Sequence, residues 1–79
     1  MALKKEVVTS PDGVYKTHIW TDEAVGFEGR LVRVSNMAIA AEATVRGEVV
    51  FNDLLYVDTL DEARETLAKF YHAAKGVQS

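Results

Sequence analysis

The sequence predicts an α+β fold: a mostly antiparallel sheet of four to five strands with one C-terminal amphipathic helix packed on one face. Three observations carry that prediction. Residues 57–76 hold a helix with both ends marked. Nearly everything before them reads as short strands, a β-hairpin and then a meander, broken by Gly, Pro, Asn and Asp. The 79 residues also contain no linker, repeat or low-complexity stretch, so residues 1–79 form a single small domain.

The helix is the best-marked element. Thr59 and Glu62 have the spacing of a capping box, in which hydroxyl and carboxylate each satisfy a backbone N–H at the helix start. Asp61 and Glu62 place negative charge in the first turn and Lys75 places positive charge in the last, both matching the helix dipole. Gly76 stands where a left-handed C′ residue belongs. Between these marks Leu60, Ala63, Leu67, Phe70 and Ala74 recur in steps of three and four, which is one helical face.

Earlier in the chain, Val7-Val8-Thr9 and the stretch 14–20 flank Ser10-Pro11-Asp12-Gly13, a turn sequence that closes a hairpin. Residues 21–29, with two glycines and three acids, read as a loop tied to the core by Phe27. Residues 30–34 read as a strand. Residues 36–46 admit two readings. As a helix, Asn36 is the N-cap and Gly47 the stop; as a strand, Met37, Ile39, Ala41, Ala43 and Val45 alternate against Glu42, Thr44 and Arg46. The strand reading is preferred, with turns at Ser35-Asn36 and Arg46-Gly47. Residues 48–57 complete the sheet, with a bulge expected at Asn52-Asp53.

Composition excludes several function classes. There is no cysteine, so disulfides, thiolate catalysis and Cys-ligated zinc are excluded. A hydrophobic fraction of 48% argues against disorder, and a net charge of −3 gives no global attraction to nucleic acid. No apolar run approaches the roughly 18 residues that span a bilayer. Basic residues near Met1 have no apolar segment after them, so a secretory signal is not expected and a cytoplasmic location is.

A helix of about 17 residues is roughly 25 Å long and 10 Å wide, whereas five strands make a sheet near 24 Å across. One helix therefore covers about half of one face. Trp20, Val14, Leu31, Val49 and Phe51 are not expected all to share the helix side with Ile19, Val32, Val34 and Ile39, so both faces carry apolar residues. Something else must cover the second face, and a homodimer is the expected answer.

No catalytic, cofactor-binding or metal-ligating set emerges. His18, beside Trp20, reads as a surface or interface residue, and His72 falls on the polar helix face. Glu48, Asp53 and Asp58 are spaced so as to alternate between faces rather than converge. Gly26-Phe27-Glu28-Gly29 lacks the Lys-Ser/Thr pair of a phosphate loop, and Ser10, Ser35 and Ser79 are turn or terminal residues. The candidate interaction surface is Lys16, His18, Trp20, Phe27, Arg30 and Arg33. With Arg46, these residues also make the case for nucleic acid, through aromatic stacking and phosphate contacts.

The stretch 56–63, Tyr-Val-Asp-Thr-Leu-Asp-Glu-Ala, resembles the strand-to-helix junction of HicB-type antitoxin domains. Asp12-Gly13-Val14-Tyr15 resembles the hairpin that opens them. The segment between the two is much longer than in that family, and no function is carried over. The residues themselves point first to a non-enzymatic, cofactor-free protein-interaction module that self-associates through sheet surface. The alternatives are a nucleic-acid-binding regulator using the Trp20/Arg33 surface and a small-ligand domain with a pocket under the 21–29 loop.

Overall fold

The computed structural model describes residues 3–77. The readings placed on Met1, Ala2 and Ser79 lie outside them. The chain runs β1 (Lys4–Thr9), β2 (Lys16–Asp22), β3 (Phe27–Ser35), β4 (Ala38–Val45), β5 (Glu48–Leu55) and α1 (Leu60–Val77). The strands form one five-stranded meander in the order β1-β2-β3-β4-β5, each antiparallel to its neighbour.

Each turn has a local cause. At the first, the Ser10 carbonyl accepts from the Gly13 N–H at 2.9 Å, and the Asp12 carboxylate accepts from the Val14 N–H at 3.0 Å. At the last, Arg46 and Gly47 both have positive φ, 52° and 81°, the two-residue hairpin turn whose twist matches the flanking strands. The β3–β4 turn falls on Asn36-Met37 rather than Ser35-Asn36, because the ladder slips between Arg33 and Ser35.

The predicted 21–29 loop is much shorter than expected. Thr21 and Asp22 continue β2, and Phe27 to Gly29 already belong to β3, where Trp20 pairs with Gly29 and Asp22 with Phe27. Only residues 23–26 turn, closed by the Gly26 N–H donating to the Asp22 carbonyl at 2.9 Å. Gly29 is a strand residue for a packing reason. A Cβ there would stand 3.0 Å from Leu67 Cδ1 and 3.1 Å from the Phe27 ring, so its absence lets α1 approach the sheet.

The 36–46 segment is a strand, and its small residues are its role. Ile39, Ala41 and Ala43 are at most 2% exposed beneath α1. The bulge in β5 lies at Val49-Val50, opposite Ala43 and Thr44; Asn52 and Asp53 pair in register with Glu42 and Ala41, which corrects the predicted position. The helix begins as expected, with Thr59 Oγ1 accepting from the Glu62 N–H at 3.2 Å. It does not stop as expected. Gly76 lies within α1 and lacks the positive φ of a C′ cap.

The core lies between α1 and β3, β4 and β5. Trp20, Phe27, Leu31, Ile39, Ala63, Leu67, Tyr71 and Ala74 are buried there, with Phe51 and Phe70 packed against them at 5.0 Å between ring centroids. Trp20, Leu31 and Phe51 thus do share the helix side with Ile39. Across the register, Ile19, Val32 and Leu54 fall on the other side with Glu28, Arg30, Glu42 and Asn52. The apolar residues are thus divided between the two faces, as expected, and on the second face they are mixed with polar groups.

Candidate interaction surfaces

Because α1 sits over β3 to β5, the helix side of β1 and β2 is left beside it as a groove. Alternation along β2 puts Lys16, His18 and Trp20 on its floor. The wall is α1. At one end Leu3, Trp20, Phe27, Arg64, Leu67, Ala68, Tyr71 and His72 enclose an apolar recess of about 250 Å³. At the other, Val14, Lys16, His18, Arg33 and Leu60 line a second depression.

Five of the six residues named from the sequence, Lys16, His18, Trp20, Phe27 and Arg33, therefore lie along one side of the sheet. Arg30 does not. It faces the opposite side, paired with Glu28 and in register with Glu42. Arg33 is spent on architecture, donating to the carbonyls of Ser35 and Asn36 at 3.1 Å and of Asp58 at 2.6 Å, which ties the β3–β4 turn to the helix entry. Trp20 is only 8% exposed, stacked by His18 at 6.1 Å and overlain by Lys5 Nζ at 5.5 Å. A ring so enclosed offers no free face for a base, so the aromatic/arginine face of the nucleic-acid reading is not assembled as one surface.

His18 meets cations and an aromatic ring. Burial, and then Lys5 and Lys16, lower its imidazole below the ordinary 6.5. Among the described residues no three His, Asp or Glu side chains converge as a metal would require. No helix is long and apolar enough to cross a membrane.

The polar contact that sequence reading missed is Tyr71 with Asp22. The phenol donates to the Asp22 carboxylate at 2.6 Å, and Asp22 is 4% exposed. The other carboxylate oxygen accepts from the Ala24 N–H at 3.1 Å, closing the β2–β3 turn. The Tyr71 hydrogen bond, outweighing desolvation, lowers the Asp22 carboxyl below the usual 3.8; the same bond raises the Tyr71 phenol above 10.0. Lys75 Nζ stands 5.2 Å above the Tyr71 ring and adds its charge to the site. Tyr71 borders the apolar stripe at i+4 from Leu67, so its burial was legible; its partner in β2 was not.

The second surface is the sheet edge. β1 and β5 each have one unpaired side. β1 starts with Lys4 and Lys5, charges that discourage another strand. β5 has no lysine, and Val49 (55% exposed), Val50, Leu54 and the following Tyr56 (78% exposed) leave apolar side chains in solvent along it. Beside it Val45, Val50, Phe70, Ala73 and Ala74 form a shallow, almost wholly apolar recess.

No protein family, curated protein or solved structure matches this chain, so the likeness of two short stretches to HicB-type domains gains no support.

Proposed function

We propose that this chain is a small, non-enzymatic protein-interaction module of the cytoplasm that self-associates by pairing β5 with β5 of a second copy. The supporting observation is the character of that edge: eight residues of strand with an unpaired side, no lysine, and three exposed apolar side chains. The complement of an open strand edge is another strand, since it satisfies the outward N–H and C=O groups. Antiparallel pairing about a two-fold axis directs Glu48 of one copy toward the Leu54–Tyr56 end of the other, so the strand's acids are not held face to face. The open sheet face, with Glu28, Arg30, Glu42 and Asn52 across it, stays in water.

Sedimentation equilibrium at micromolar concentration tests this. The expected mass is twice the 8.7 kDa of the chain. Leu54→Lys in the edge strand β5 returns the particle to the single-chain mass with an unchanged circular dichroism spectrum, while Val32→Lys, on the same sheet face but in the inner strand β3, leaves the dimer intact. A wild-type chain that sediments at 8.7 kDa overturns the proposal.

A further inference from the structure

The recess between α1 and β2 has a different chemistry from the β5 edge. Its lining is aromatic and aliphatic: Trp20 and Phe27 from the sheet, Leu67, Ala68 and Tyr71 from the helix. Its rim carries cations. Arg64 lines the wall, Lys5 stands over Trp20 and Lys75 over Tyr71. In a chain with net charge −3 this is a local gathering of positive groups.

The acids nearby cancel only part of it. Asp22, bonded to Tyr71 and the turn amides, keeps its negative charge and offsets Lys75, which leaves Arg64 and Lys5 as the cations of the rim. Asp61 is 3.8 Å from Arg64, but the two side chains are 87% and 56% exposed. An exposed pair of that length is worth little and exchanges readily for another anion. Arg64 is also the cation best placed to do so, because its planar fork accepts a carboxylate through two parallel hydrogen bonds.

We propose that this recess binds a small arylalkanoic acid, with its ring seated over Ala68 against the parts of Trp20, Phe27 and Tyr71 that line the recess, and the carboxylate held at the rim by Arg64 with support from Lys5. Size and charge argue together. An apolar cavity of about 150 Å³ accepts benzene, so about 250 Å³ accommodates one ring and a short side chain but not a large cofactor. Three aromatic residues in the lining favour an aromatic body. The cationic rim requires that the body carry an anion.

Trp20 is the sole tryptophan, so its emission reports the site directly. Titration of the wild-type protein with phenylpropanoate is expected to shift Trp20 emission saturably, with a Kd on the order of millimolar or tighter. Phenylpropanol, which keeps the ring and loses the charge, is expected to bind about tenfold more weakly. Arg64→Gln removes about the same factor for the acid and leaves the alcohol unaffected. Ala68→Phe fills the recess and abolishes the emission change, with circular dichroism confirming the fold. Absence of a saturable change up to the solubility of the acid overturns the site. Equal affinity for acid and alcohol, or an Arg64→Gln chain that binds the acid as wild type does, overturns the role given to the cationic rim. None of these outcomes depends on the β5 edge.

Discussion

Asp22 and Tyr71 are 49 residues apart in the chain, and their hydrogen bond joins the β2–β3 turn to the fourth turn of α1. Its pH dependence has a definite sign. The folded Asp22 carboxyl titrates below the unfolded value of 3.8, so the contribution is fully present above that value and is lost as pH falls through the folded one. The Tyr71 phenol is raised above 10.0, so its contribution holds below that value and is lost as pH rises through the folded one. His18 adds a separate loss on the acid side that begins nearer 6.5, because its folded imidazole resists protonation. Urea denaturation across pH is therefore expected to give a plateau with falls at both ends. Tyr71→Phe should flatten the fall below pH 4 and the fall above pH 10 while leaving in place the His18 component that sets in below 6.5. A Tyr71→Phe protein with the wild-type profile would remove Asp22–Tyr71 as its source.

At the scale of elements, legibility followed from how local the determinant is. The α1 stripe, its Thr59 cap, the Arg46-Gly47 turn and the period-two pattern of β4 are set by neighbours within a few residues, and all were readable. The glycines separate local from tertiary causes. Gly26 and Gly29 together suggested a loop, yet one closes a turn and the other makes room for Leu67, a contact 38 positions away by sequence number. Gly76 suggested a helix stop because C′ glycines are common, but nothing nearby forces it into positive φ. Substitution distinguishes these roles. Gly76→Ala, inside α1 with open space around the new methyl, should raise stability by up to about 0.5–1 kcal/mol. Gly47→Ala, at φ 81°, should cost about 1–2 kcal/mol despite equally open space. Guanidinium midpoints moving in opposite directions at unchanged m-value check the pair. If Gly76→Ala destabilises, the helix ends before it.

Over the whole molecule, strand register decides which of the apolar residues the helix covers. Trp20, Leu31 and Phe51 fall on the helix side with Ile39, and the other face mixes Ile19, Val32 and Leu54 with charged and amide groups. Exposed apolar side chains lie on both edge strands, Val7 and Val8 on β1 and Val49, Val50 and Leu54 on β5, and which strands are edges is set by strand order, which no local pattern encodes. Five of the six residues of the candidate surface lie on one side of the sheet; Arg30 lies on the other with Val32, as the alternation of β3 against Leu31 and Arg33 requires. Pairing at β5 couples folding to association, so thermal stability must depend on concentration. For two chains unfolding together, a hundredfold increase in protein adds about 2.7 kcal/mol per dimer, or about half that per chain. In a domain of this size that corresponds to a rise in Tm of about 5–10 °C. Leu54→Lys should make Tm independent of concentration and place it at or below the dilute limit of wild type. Scanning calorimetry of both proteins over that range decides the matter: a wild-type Tm that does not move with concentration means that β5 ends the sheet and pairs with nothing.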